Sequence, residues 1–190
     1  MNAKLEQKQR THASILSSAC RLLRERGIGG ARVADVMGGA GLTVGGFYAH
    51  FDSKEALVDE AIRQTSAFIR SKLFERIEEK PASARAEVVL KRYLSPAHRD
   101  DPASGCPLPS VVGEVATSTP EHRSVLAESL VSFADELSKH LGGQEASKRG
   151  TALALIALMY GGLSLARAVR GTELSDEILR ACRAFGKGER

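Results

Sequence analysis

Tryptophan is absent from this chain, and cysteine occurs only at positions 20, 106 and 182. An odd number of scattered cysteines builds no disulfide framework, so a reducing, cytoplasmic setting is expected. No Cys-x-x-Cys is present, and the histidines at 12, 50, 98, 122 and 140 form no i, i+4 pair, so zinc-type ligand spacing is missing. No glycine-rich loop follows a strand, and no acid–base cluster stands at a defensible spacing. Neither an enzyme nor a cofactor or metal is therefore expected. The start, Met1-Asn2-Ala3-Lys4-Leu5-Glu6, lacks the apolar core of a signal peptide. The longest apolar run, Ala152 to Ala166, is broken by Gly161, Gly162 and Ser164, and is expected to be too short to span a bilayer.

What is present is helical patterning and an uneven charge. Hydrophobic residues make up 43% of the 190 and charged residues 26%, enough for a packed core and too apolar for disorder. Net charge is +4. Residues 1–54 carry eight Lys or Arg against four acids, whereas the other 136 carry nineteen of each sign. The whole excess thus lies at the N-terminal end, as attraction to a phosphate backbone requires.

That end contains Gly41-Leu42-Thr43-Val44-Gly45-Gly46-Phe47-Tyr48-Ala49-His50-Phe51. Val33, Val36 and Met37 precede it at helical spacing, and Gly41 can take positive φ for a sharp turn. Thr43 stands where a short hydroxyl side chain caps the next helix or reaches a phosphate. Phe47 and Phe51, four apart, share one helix face and would anchor it, leaving Tyr48 outward. Two short helices joined at a glycine form a helix-turn-helix, a DNA-reading shape.

With Tyr48-Ala49-His50-Phe51-Asp52-Ser53-Lys54-Glu55 following, the stretch from about Gln9 to Glu60 resembles the N-terminal domain of TetR-family transcriptional regulators. Val44 and Gly46 depart from it where many relatives carry a basic or hydroxyl side chain. Arg32 departs where a Thr or Ser often caps the second helix. The resemblance implies an all-α chain of about nine helices, with a DNA-binding domain over 1–53 and a regulatory and dimerisation domain over 54–190. The expected DNA-contacting set is Arg32, Thr43, Val44, Gly45, Gly46, Tyr48, His50 and Lys54. The two glycines would permit close approach, and Val44 would meet a thymine methyl. Arg10, Thr11 and His12 are further backbone-contact candidates.

Along the chain, a first helix over about 4–26 is stopped by Gly27, and a second and third cover about 33–40 and 44–50. A fourth starts at Asp52 or Ser53 as cap and runs to about Glu79, before Pro81. After a helix over 84–94, the breaker-rich segment 95–105 is expected to be the most mobile internal loop. Pro107 at a first helical position makes Cys106 the expected N-cap of the next helix, and Thr119-Pro120 repeats the device. The helix over about 145–170 is apolar on several faces, with Ala157, Gly161 and Ser164 small enough for close approach of another helix. It is expected to need a second copy for cover.

By resemblance, dimerisation uses the last two long helices, about 145–185, and a double-stranded, roughly palindromic DNA operator is the partner. A small-molecule inducer would enter a cavity for which Phe68, Tyr93, Cys106, Val112, Met159 and Tyr160 are candidate lining residues. The function so implied is a repressor released from its operator. The alternatives are a thiol sensor built on Cys106, whose thiol would gain reactivity at a helix start, and an architectural DNA binder without a ligand.

Overall fold

The computed structural model describes residues 3–188. Among these are nine α-helices and no strand: α1 (Ala3–Gly30), α2 (Val33–Gly39), α3 (Lys54–Phe74), α4 (Arg85–Tyr93), α5 (Pro96–Asp100), α6 (Leu108–Ala116), α7 (Pro120–Ser138), α8 (Glu145–Ala168) and α9 (Glu173–Gly186). The chain forms two compact units. One contains the residues up to Ala67 together with Cys106–Ala127; the other contains Phe68–Gly105 and the residues from Glu128 on. The compact division therefore runs differently from a cut at residue 53.

In the first unit, Ile15, Leu16, Ala19, Leu22 and Leu23 of α1 are buried together with Val36 and Met37 of α2. The reason α6 joins them lies at Gly27, where α1 breaks with φ 72° and ψ −169°. A break leaves the next amides without intrahelical acceptors. The Glu114 carboxylate accepts from the amides of Ile28 (2.8 Å) and Gly29 (2.7 Å). Ser110 Oγ donates to the Arg24 carbonyl. Leu108, Val111 and Val115 complete the apolar seam. His122, nearly fully buried at the start of α7, lies 2.6 Å from the Asp59 carboxylate of α3.

The second unit is built on α8 and α9. Gly162 permits their contact, since a Cβ there would stand 2.7 Å from Cys182 Sγ. Arginines hold the helix ends: Arg183 donates to the Leu94 carbonyl, Arg167 to the carbonyls of His98 and Arg99, and Arg99 to Ser175 and Asp176. Phe74 stacks on the His140 ring and meets Phe133 edge-on.

Several elements differ from expectation. The segment after the turn is a 3-10 helix over Val44–Ala49, because two glycines and a six-residue length do not sustain α geometry. α3 stops at Phe74, where Arg76 takes a left-handed conformation (φ 52°); Ile77 remains buried in a following 3-10 turn. Residues 95–105 are ordered into α5 and a 3-10 turn. Ser95 Oγ accepts from the His98 amide and the Asp101 carboxylate from the Ser104 amide, each just ahead of a proline. Cys106 is not an N-cap: α6 begins at Leu108 with Pro107 in the cap position, and Cys106 is buried. Thr119 does cap α7, accepting from the His122 amide at 3.4 Å. Finally, the apolar run 152–166 lies in the 24-residue α8, which by length and composition alone is long enough to cross a membrane. It buries Ala152, Ile156, Met159, Leu163 and Ala166, about a third of its most apolar window, and leaves Leu153 and Leu165 exposed.

Candidate nucleic-acid interface

The turn is set by Gly41 at φ 71°, with the Leu42 amide donating to the Met37 carbonyl at 2.9 Å. Thr43 then takes an extended conformation, but its hydroxyl makes no cap bond, so the expected capping role is not fulfilled and the exposed hydroxyl faces outward. Phe47 and Phe51 are buried and stacked at 5.8 Å, which fixes the segment to the unit's core. Tyr48, between them, is 74% exposed, meeting Phe47 only edge-on, and Val44, ahead of both, is 50% exposed. A Cβ built on Gly45 would meet nothing within 4 Å, and one on Gly46 only Met37 Cε at 3.7 Å. Nothing inside the chain requires either glycine.

Basic and polar groups surround this face. Lys4, Lys8 and Thr11 of α1 border a cleft of about 590 Å³ with Ala49 and His50. His50 is half-buried and its Nδ1 has no hydrogen-bond partner; burial, with His12 and Lys8 nearby, pushes its pKa down. It offers a neutral ring rather than a charge at neutral pH. His12 stacks on Phe51 at 4.4 Å and lies 3.0 Å from Glu60 Oε1, so it belongs to the scaffold of the face. Arg32 sits in the cap position of α2 without capping it; its Nε pairs with Asp35 at 2.6 Å and holds that carboxyl below its usual range. Lys54 opens α3, whose start Ser53 caps by accepting from the Ala56 amide at 3.0 Å. Lys4, Lys8 and the Glu114 cap were not singled out from sequence. The two lysines lie one turn apart on α1, a spacing that could have found them; nothing in the sequence links residue 114 to residues 28 and 29.

Of the residues suggested for a ligand cavity, Cys106 and Val112 fall in the first compact unit and the others in the second. Tyr93 and Met159 are packed in the core at 1% exposure, and Tyr160 is half-buried. Phe68 borders a cleft of about 380 Å³, shared with Lys72, Arg92 and His98. His98 Nδ1 donates to the Tyr93 carbonyl at 2.7 Å and its ring meets the Tyr93 ring edge-on. Burial pushes the His98 pKa down to about 4, against the raising effect of that hydrogen bond. Between pH 6.5 and 4 the unfolded chain therefore takes up a proton that the folded chain refuses. Stability is full above pH 6.5 and falls as pH drops towards 4, by about 3 kcal/mol at ~1.4 kcal/mol per pKa unit. Urea midpoints at pH 7.5, 5.5 and 4.5 should show this fall in the wild type and a shallower one in His98→Gln. Equal slopes would refute it.

Residues 15–61 match the sequence model of the bacterial regulatory proteins, tetR family. That segment is of the TetR type. Over 49 residues it is 45% identical to the HTH-type transcriptional repressor KstR2 of Rhodococcus jostii (strain RHA1), and 43% identical to KstR2 of Mycobacterium tuberculosis (strain ATCC 25618 / H37Rv). Each match covers 26% of this chain and 24% of the relative, so the likeness spans about a quarter of either protein. The TetR fold extends further. A TetR-family regulator from Cytophaga hutchinsonii superposes with a TM-score of 0.80 over 96% of both chains at 21% identity. The reduced form of Escherichia coli NemR gives 0.80 over 94% of this chain and 96% of that one, at 22% identity.

Proposed function

We propose that this chain is a TetR-family, cytoplasmic, homodimeric transcriptional repressor that leaves a roughly palindromic operator when a small-molecule inducer binds. The observation that carries this is the outward display of Thr43, Val44 and Tyr48 on a segment whose own anchors, Phe47 and Phe51, are fully packed. The KstR2 relatives are HTH-type transcriptional repressors, which supports the same reading for the matched segment. Residues 1–53 supply the DNA contacts, with Arg32, His50 and Lys54 beside that face and Gly45 and Gly46 giving close approach. Residues 54–190 supply regulation and pairing.

A second copy is favoured by apolar residues left outside on the last helices: Leu153, Leu165, Leu174 and Phe185 are 44–66% exposed. A Cβ on Gly161 would also stand in open space. Two heads related by two-fold symmetry would read successive major grooves. An inducer acts only through its differential affinity for the operator-competent and incompetent dimer geometries. The thiol-sensor alternative gains nothing from Cys106, which is buried and caps no helix.

The experiment is binding of purified protein to labelled DNA from upstream of its own gene, at fixed salt and in excess nonspecific DNA. Tight, competitor-resistant binding that Tyr48→Ala weakens at least tenfold, equivalent to about 1.4 kcal/mol, is expected. Tyr48 is exposed, so its loss should leave the unfolding midpoint unchanged. Binding that competitor strips equally from wild type and variant would instead favour an architectural DNA binder.

A further inference from the structure

The cleft beside Phe68 combines one apolar wall with an arginine that has no acidic partner. Phe68, Ile69 and, one turn on, Leu73 of α3 line the cleft, together with Ala97 of α5. Phe68 is 40% exposed although it belongs to a helix whose other large apolar residues here are covered. Arg92 of α4 enters the same cleft. Its Nη1 donates to the Leu73 carbonyl at 2.6 Å, which fixes the guanidinium at the end of the apolar wall. Among the described residues no carboxylate pairs with it. Of the two acids at the cleft, Glu75 makes only a long, exposed pair with Lys72 Nζ at 3.9 Å, and the Asp101 carboxylate accepts from the Ser104 amide. His98, neutral through its burial, adds no charge of either sign. A half-buried guanidinium held beside hydrocarbon, with donors to spare, matches a planar anionic head on an apolar body.

We infer that this cleft binds an amphipathic organic carboxylate, its head on Arg92 with Lys72 alongside, and its hydrocarbon body along Phe68, Ile69 and Leu73. The volume of about 380 Å³ holds about a dozen non-hydrogen atoms at roughly 30 Å³ for a water-sized group. This is the size of a ten-carbon fatty acid. The inference rests on the inducer reading above and gives that inducer a chemical class.

Decanoate and its uncharged counterpart 1-decanol are the probes, titrated calorimetrically into the full-length, DNA-free protein. Decanoate should bind at least tenfold more tightly than 1-decanol. Arg92→Gln should abolish that preference, and Phe68→Ala should weaken both probes about threefold or more. Because Arg92 also holds the Leu73 carbonyl, Lys72→Gln, an exposed change, serves as a second charge variant and should lower the decanoate preference several-fold. Equal affinity for the two probes, no binding of either, or a preference that survives both charge variants would overturn the inference. Decanoate is then added to the protein–operator complex in a separate arm. Binding without DNA release leaves the cleft assignment standing and removes the inducer role; loss of operator binding in the first place bears on neither calorimetric result.

Discussion

Gly27→Ala should be the most destabilising single substitution in the DNA-binding unit, costing about 3–4 kcal/mol. Three effects combine. An alanine at φ 72° and ψ −169°, a region essentially reserved for glycine, pays about 1–3 kcal/mol of backbone strain. Its Cβ would lie 2.0 Å from Glu114 Oε1 and 2.7 Å from the Ser110 carbonyl oxygen. The carboxylate can swing away, but then the Ile28 and Gly29 amides lose their acceptor; the Ser110 carbonyl is backbone and cannot yield without moving α6. Glu114→Ala alone removes only the cap, about 1–2 kcal/mol by analogy with N-cap losses. The two changes share the same hydrogen bonds, so the double variant should be less destabilised than the sum of the single ones. Urea unfolding of the four proteins measures all of this. A Gly27→Ala protein within 1 kcal/mol of wild type would show that the break in α1 is not held by α6.

The second large effect concerns DNA rather than stability, and it runs against the usual direction. Gly45→Ala should stabilise the free protein slightly, by about 0.5–1 kcal/mol, because the alanine restricts the unfolded chain and its Cβ enters open space. If the segment 44–49 lies against the groove, the same methyl occupies room that the DNA needs, and operator affinity should fall at least tenfold. Paired measurements of the urea midpoint and of DNA affinity separate the two. A variant that is more stable and binds DNA as well as wild type would mean that close approach at Gly45 plays no part.

Much of this architecture was legible because it is written locally. The periodicity of Ile15, Ala19, Leu22 and Leu23 reports a buried face directly, and Phe47 with Phe51 reports the anchor of the turn segment. The Thr119-Pro120 device correctly marks the start of α7. The same logic applied to Ser95-Pro96 and Asp101-Pro102 would have found the two helical turns in the segment taken for a mobile loop, where the number of breakers outweighed their order. At Cys106-Pro107 the device is off by one residue, since proline there occupies the cap position itself. The two candidate sets differ in how far local sequence can place them, for a physical reason. Exposure of Tyr48 follows from its place between two anchors, whereas a cleft depends on which distant helices meet. Tyr93 and Met159, candidates from the sequence, are packed in the core of the fold, while Arg92, which the sequence does not single out, stands in the cleft. The Glu114 cap belongs to the same kind of information, joining positions some 86 residues apart.

That separation bears on how the protein is made. The unit that carries the DNA-facing segment is assembled from two stretches, and the second, Cys106–Ala127, leaves the ribosome long after the first. Until it arrives, the Ile28 and Gly29 amides lack their carboxylate and the α1 face that Leu108, Val111 and Val115 cover is bare. Contacts between such distant residues close only after a long loop has formed, and loop closure of that kind slows folding. The nascent head therefore waits, incompletely covered, for more than half the chain to be synthesised, and the interval in which it can associate wrongly is set by translation speed.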